Sequence, residues 1–296
     1  MTNMILLQSQ HKKGFGMYKI IEKRTLAPGV HFMRVDAPLV ARSAMPGQFI
    51  ILRVLEEGER IPLTIADYDR TEGWVTIIFQ EVGHTTGLLA ELGIGDHILD
   101  FAGPLGRASE LDRYSRVLCI GGGVGTAPLY PQIKHMHEAG TEVDVILGAR
   151  SRDYILLADE IRRCCSRLYI ATDDGSLGHK GFVTDLLKEL VSGGERYDHV
   201  IAIGPLVMMK AVSALTREFM IPTTVSMNPI MVDGTGMCGG CRVTVGGKTR
   251  YACVDGPDFD GHLVDFDEAM RRQQMYRQEE KESHICRLPG MGGQVR

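Results

Sequence analysis

No apolar run in this 296-residue chain approaches the ~18 residues that would suggest a membrane span. The secretory order is missing as well, because in MTNMILLQSQHKKGFGMYK the lysine pair follows the short apolar patch instead of preceding it. Neither sign of charge is in large excess. Thirty-three Lys and Arg against 37 Asp and Glu leave a net charge of −4, which gives no reason to expect nucleic acid or an anionic membrane as partner. No internal repeat is visible. An even set of cysteines is also lacking: there are seven, three of them in one short motif, which argues against a secreted disulfide framework and for a reducing cytoplasm. What is left, 44% apolar and 24% charged, is an ordinary soluble composition with room for two domains and an appendage.

Residues 1–16 carry no clear period and form an N-terminal extension. Over 17–112 the chain reads as short strands (YKIIEKRTL, HFMRVDAP, GQFIILRVL, WVTIIFQEV, HILDFAGP) broken by turn signals such as Pro28-Gly29, Pro46-Gly47 and Glu72-Gly73. That pattern predicts a small antiparallel β-barrel, interrupted by one helix from Thr85 to Leu92. Over 113–225 apolar strands alternate with helices, beginning RVLCIGGG and PLYPQIKHMHEAG and including DYILLADEIRR, which predicts an α/β domain with a doubly wound parallel sheet. A small module follows at 226–262, and 263–296 is a C-terminal tail with a charged helix from Val264 to Glu282. Cys119, Cys164 and Cys165 fall in apolar segments and read as packing residues. Cys286 in the tail receives no role.

The most specific chemistry lies in MVDGTGMCGGCRVTVGGKTRYAC, Met231 to Cys253. It offers Asp233, Cys238, Cys241 and Cys253 as D-x4-C-x2-C-x11-C. Plant-type 2Fe-2S sites use C-x4-C-x2-C and a distant fourth Cys around a glycine-rich loop. Asp233 stands where the first thiolate would be. Arg242 to Val245 and Lys248 to Tyr251 read as a hairpin that delivers Cys253. The alternative is a zinc knuckle of three Cys and one Asp, although zinc sites usually use paired C-x2-C units and only one is present.

Three further constellations point to nucleotides. Gly121-Gly-Gly-Val-Gly-Thr-Ala-Pro128 follows a strand and opens a helix, the context in which backbone N–H groups approach a pyrophosphate. Asp173 and Asp174 end a later strand and could accept hydrogen bonds from ribose hydroxyls, while Arg150 and Arg152 pull towards a 2′-phosphate; the balance favours NAD(H). Arg60-Ile-Pro-Leu-Thr64 on a barrel strand, with Gly83-His-Thr-Thr86 at a helix start, makes a second pyrophosphate site. Gly204-Pro205 ends the last main strand, where the switch-point rule places a ligand.

In this order the motifs resemble the ferredoxin-reductase superfamily. Within it the chain is similar to the electron-transfer subunit of dihydroorotate dehydrogenase, and closer still to the small subunit of the NADH-dependent ferredoxin:NADP oxidoreductases, flavin-bifurcating transhydrogenases also described as sulfide dehydrogenases. The resemblance covers about Tyr18 to Arg272. It implies FAD, NAD(H) and a 2Fe-2S cluster held by Asp233, Cys238, Cys241 and Cys253, since that small subunit uses one Asp and three Cys where the dihydroorotate subunit uses four Cys. It also implies Pro62, Leu63 and Thr64 along the flavin, with Gly83, Thr85 and Thr86 at its pyrophosphate. Gly122, Gly123, Gly125 and Thr126 would hold the phosphates of NAD(H). Two positions depart from the superfamily pattern: Arg60 lies four residues before Thr64 instead of three, and Ile203 replaces a Cys before the Gly-Pro turn, so no catalytic acid or base is carried over. The implied function is electron transfer between NAD(H), FAD and the cluster, beside a larger FAD- and 4Fe-4S-bearing subunit that reaches ferredoxin. The competing expectations are a subunit of a dihydroorotate or sulfide dehydrogenase, or a non-redox regulator binding a nucleotide and zinc.

Overall fold

The computed structural model describes residues 18–275. Segments rich in β-branched and aromatic residues form β1 (Tyr18–Ala27), β2 (Val30–Asp36), β3 (Phe49–Arg53), β4 (Ile61–Asp69), β5 (Trp74–Gln80), β6 (His97–Ile98) and β7 (Asp100–Leu105). They pair antiparallel in the order β6-β1-β2-β5-β4-β3-β7. The two edge strands, β6 and β7, are separated in the chain by Leu99 alone. A flat sheet could not place them so close, so this one rolls into a nearly closed barrel. Its inward face buries Ile20, Met33, Ile50, Leu52, Ile77 and Phe79. Two helices cap it, α1 (Pro38–Ser43) and α2 (His84–Glu91). Helix α1 is absent from the sequence reading; six residues are too few for a periodic signal, although Pro38 sits in the first turn where its missing N–H costs nothing.

A second sheet is built from β8 (Arg116–Gly122), β9 (Glu142–Ala149), β10 (Arg167–Thr172), β11 (His179–Lys180), β12 (His199–Ile203) and β13 (Thr223–Ser226), all parallel. After the hairpin β14 (Arg242–Val245) and β15 (Lys248–Tyr251), the strand β16 (Asp258–Asp260) returns to pair antiparallel with β13. The order β11-β10-β9-β8-β12-β13-β16 puts the topological switch between β8 and β12. Helices α3 (Thr126–Glu138), α4 (Ala158–Arg162), α5 (Val183–Ser192), α6 (Leu206–Glu218), α7 (Ala252–Asp255) and α8 (Phe266–Gln273) complete the fold.

Three departures from the sequence reading have local causes. The helix expected across DYILLADEIRR shrinks to α4, because Leu157 takes a left-handed φ of 54° and interrupts it. Strands β13 and β16 are four and three residues long, below the length at which alternation can be read. The tail helix begins at Phe266, capped by the Asp265 carboxylate accepting from the Glu268 N–H at 2.9 Å. Its continuation beyond residue 275, the extension 1–16 and Cys286 lie outside the described residues. Cys119 and Cys164 are buried and Cys165 packs against the same core, as expected of packing residues.

The two sheets share a core. Phe32, Ala66 and Ile78 from the barrel pack in one apolar group with Leu129 and Ile133 of α3 and Val145 of β9. Lys134 of α3 adds an ion pair to Asp67 of β4 at 3.1 Å. At the amino-terminal ends of the parallel strands, the fully buried Asp144 accepts from Arg116 (3.1 Å), Arg167 (2.6 Å) and the Tyr197 hydroxyl (2.9 Å). Asp144→Ala would leave the buried Tyr197 hydroxyl without its acceptor, while Arg116 and Arg167 keep Glu195 at 2.6 Å; an unsatisfied buried polar group costs about 1–3 kcal/mol. Urea unfolding is therefore expected to show a clearly lower midpoint for this variant. An unchanged midpoint would contradict the account.

Candidate functional site

The switch point is where the glycines gather. Gly122 ends β8, Gly123–Gly125 form a single 3-10 turn, and Thr126 starts α3. Across the crevice, Gly204-Pro205 leads from β12 into α6. The two loops touch backbone to backbone: a Cβ on Gly125 would lie 2.4 Å from the Ile203 carbonyl oxygen, and one on Gly204 would lie 3.0 Å from Gly122 Cα. These glycines therefore serve loop-to-loop packing first. Gly123 faces open space on the same turn. Thr126 is buried, its hydroxyl turned towards Gly121. Asp173 and Asp174 follow β10 beside the end of β9, with the Asp173 N–H donating to Ala149 O at 3.1 Å. The Asp174 carboxylate accepts from both the Ser176 hydroxyl (2.6 Å) and its N–H (2.9 Å), which holds that carboxyl below its usual range. Arg150 stacks over the Tyr154 ring at 3.6 Å.

On the barrel, β3 and β4 pair with Phe49 opposite Thr64 and Ile51 opposite Pro62. Leu63 packs into the barrel interior, so by the two-residue alternation Pro62 and Thr64 face outward beside Phe49 and Ile51. Arg60 is exposed just before β4. The Thr85 hydroxyl lies 3.3 Å from the Glu59 carboxylate, which brings the entry to β4 against the first turn of α2. Gly83 is the N-cap of that helix. The Thr86 hydroxyl is occupied by its own turn, accepting from the N–H groups of Val82 (3.0 Å) and Gly83 (2.9 Å).

The cysteine loop docks on this outward barrel face. Cys241 and Cys253 are buried with Phe49, Ile51, Met231 and Ala252, and their sulfurs lie 3.1 Å apart. Cys241 immediately precedes β14, and Cys253 follows β15 in the first turn of α7, so the hairpin sets their approach. Gly234, at φ +72°, lies so close to the barrel that a Cβ there would be 2.7 Å from Ile51 and 2.8 Å from Leu105. Cys238 is exposed. The Asp233 carboxylate accepts from the N–H groups of Thr235 (2.8 Å) and Cys238 (3.0 Å), which lowers its pKa. Burial first, and then the hydrogen bond with Cys241, pushes the Cys253 thiol up to about 12, while the Gly236 N–H donates to it. Among the described residues no three His, Cys, Asp or Glu side chains converge as a ready metal site. The donor set nevertheless suits iron and sulfide: three thiols and one carboxylate, with Cys253 close enough to feel both Cys241 and Asp233.

Comparison with known proteins is decisive for the family. The iron–sulfur cluster binding domain of dihydroorotate dehydrogenase B matches residues 228–265, and the oxidoreductase NAD-binding domain matches 119–214. A dihydroorotate dehydrogenase B (NAD(+)) electron transfer subunit homolog of Thermotoga maritima is 47% identical over 271 residues, 92% of this chain and 95% of the relative. The chain belongs to the family of these electron transfer subunits.

The electron transfer subunit of Desulforamulus reducens is 34% identical over 83% of this chain and 96% of its own. A solved structure of the NADH-dependent reduced ferredoxin-NADP oxidoreductase, described for flavin-based electron bifurcation, superposes with a TM-score of 0.86. It is 46% identical and covers 92% of this chain and 98% of that one. A cytochrome b5 reductase domain at 18% identity and TM-score 0.58 shares the fold alone. As a member of this family the chain is an NAD(P)H-dependent oxidoreductase subunit, and its cofactors are NAD(H), FAD and a 2Fe-2S cluster. No helix among the described residues is long and apolar enough to cross a membrane. Sequence reasoning missed the barrel residues that receive the cysteine loop, Phe49 and Ile51, since they read as ordinary strand residues. It also missed Arg272, whose guanidinium donates to Gly240 O at 3.1 Å from 32 residues away in sequence.

Proposed function

We propose that this chain is the small subunit of an electron-bifurcating ferredoxin:NADP oxidoreductase in the cytoplasm, working beside a larger subunit with its own FAD and 4Fe-4S clusters that reaches ferredoxin. One observation carries the reading. The outward face of β3 and β4 carries Pro62 and Thr64, which this reading assigns to the flavin, and on the neighbouring strand Phe49 and Ile51 pack against Cys241 and Cys253. Adjacent strands lie only ~4.8 Å apart, so flavin and cluster sites are neighbours. Bound flavin and cluster supply the conversion between a two-electron hydride and one-electron steps; the chain supplies binding, orientation and electrostatics.

In this reading Gly122, Gly123, Gly125, Thr126, Asp173 and Asp174 shape the NAD(H) crevice, with Gly204 and Pro205 at its nicotinamide end. Arg60 and the α2 start at Gly83, Thr85 and Thr86 receive the flavin pyrophosphate, along which Pro62, Leu63 and Thr64 lie. Asp233, Cys238, Cys241 and Cys253 hold the iron. The division into 17–112, 113–225 and 226–262 follows these three tasks, although β16 ties the third segment into the second. Service to a dihydroorotate dehydrogenase is the second reading, supported by the names of the relatives; Asp233 in place of a fourth Cys speaks for the first.

Anaerobic addition of NADH to the purified full chain is the test. The expected result is bleaching of a flavin absorbance together with a reduced 2Fe-2S signal in electron paramagnetic resonance. A colourless protein, or zinc in place of iron, would overturn the electron-carrier reading. Co-purification from the host identifies the larger subunit and separates the two partner assignments.

A further inference from the structure

Two guanidiniums grip the turn between Cys238 and Cys241. Arg242 donates from Nη1 to Gly239 O at 3.2 Å, and Arg272 of α8 donates from Nη2 to Gly240 O at 3.1 Å. A trans peptide is planar, with its C=O and N–H pointing in opposite directions. A carbonyl turned to an arginine therefore turns the next residue's N–H away from it. In the Gly239-Gly240 peptide this is visible: the Gly240 N–H is directed at Cys238 Sγ, 3.5 Å away. By the same geometry the grip of Arg272 on Gly240 O fixes the direction of the Cys241 N–H.

We propose that Arg272 is a positioning residue that sets the reduction potential of the cluster through the peptide planes of Gly239, Gly240 and Cys241. The inference rests on the iron–sulfur reading of this loop. N–H groups aimed at cluster sulfurs and a nearby positive charge both stabilise the more negative, reduced state. Arg272 is half-buried on α8, so its charge is poorly screened, whereas Arg242 is exposed. The fork geometry of arginine matters because a lysine ammonium is a compact charge on a flexible stem. Helix α8 is independently tied to α6 by the Lys210–Asp267 pair at 2.6 Å, which allows the helix anchor to be separated from the grip on the loop.

Redox titration of the full chain followed by electron paramagnetic resonance tests this, with iron content measured in parallel. R272Q is expected to lower the midpoint potential about tenfold in the reduction equilibrium, which is ~59 mV for one electron. R272K is expected to shift it less and in the same direction, and R242Q less than R272Q. K210M, which loosens α8 without touching the loop, is expected to stay at the wild-type potential. An unshifted R272Q with its full iron overturns the proposal, as does a K210M shift equal to that of R272Q. If R272Q does not retain iron, R272K decides: a wild-type potential there overturns the role of Arg272. A wild-type chain without iron would sink the cluster reading itself, a distinguishable failure.

Discussion

Cys253→Ala is expected to empty the iron–sulfur site while leaving a folded chain. The Cys253 sulfur is buried and lies 3.1 Å from that of Cys241, against Phe49 and Ile51 of the barrel. Among the described residues the thiols outside the motif, Cys119, Cys164 and Cys165, belong instead to the core under α3 and α4. Alanine removes one sulfur from a four-donor site, so iron should fall from about two per chain to near zero. The proposed flavin and NAD(H) sites do not include Cys253, so NADH-driven dye reduction should persist while electron delivery to the partner subunit is lost. Asp233→Cys is the informative contrast. A thiolate is softer and more polarizable than a carboxylate, so iron should remain and the midpoint potential should move. Iron analysis and paramagnetic resonance decide both. A C253A chain with full iron would remove Cys253 from the ligand set.

Gly125→Ala should damage stability and the rate of flavin reduction together. Its new methyl would sit 2.4 Å from the Ile203 carbonyl oxygen and 2.7 Å from Gly204 Cα, and both obstacles are backbone. Relief requires prising apart the two loops on either side of the switch point. Overpacking of this kind costs about 1–3 kcal/mol. The shift also displaces Gly204-Pro205, and a misplacement of ~1 Å can slow a positioned reaction roughly hundredfold. Stopped-flow measurement of flavin reduction by NADH, with thermal unfolding alongside, should show both losses. Gly123→Ala tests the crevice without the clash: its methyl meets no protein atom within 4 Å, so within the protein only the left-handed backbone at φ +54° opposes it, at about 1–2 kcal/mol, and it projects into the crevice proposed for NAD(H). If both variants reduce at the wild-type rate, the crevice is not where NADH is held.

Much of the path to these expectations was legible in one dimension. The barrel strands, the strand–glycine–helix turn at Gly121 to Thr126 and the D-x4-C-x2-C-x11-C spacing are local patterns, written in neighbouring residues and readable because alternation and turn chemistry are local physics. The short pieces were not. Strand β13, strand β16 and helix α1 are held by pairing and packing with partners far along the chain, and a few residues carry too little periodicity to announce it.

Residue types and their spacing pointed to the chemistry proposed for this protein: thiols and a carboxylate for a metal cluster, glycine turns for phosphates, apolar alternation for a barrel and a parallel sheet. The tertiary structure alone decided where these stand relative to one another. Only folding lays Cys241 and Cys253 on the barrel face beside Pro62 and Thr64, presses Gly125 against Ile203, and carries Arg272 back to Gly240. The reason is that these contacts join residues tens to nearly two hundred positions apart, and their distances follow from how two sheets share a core, which no local spacing encodes.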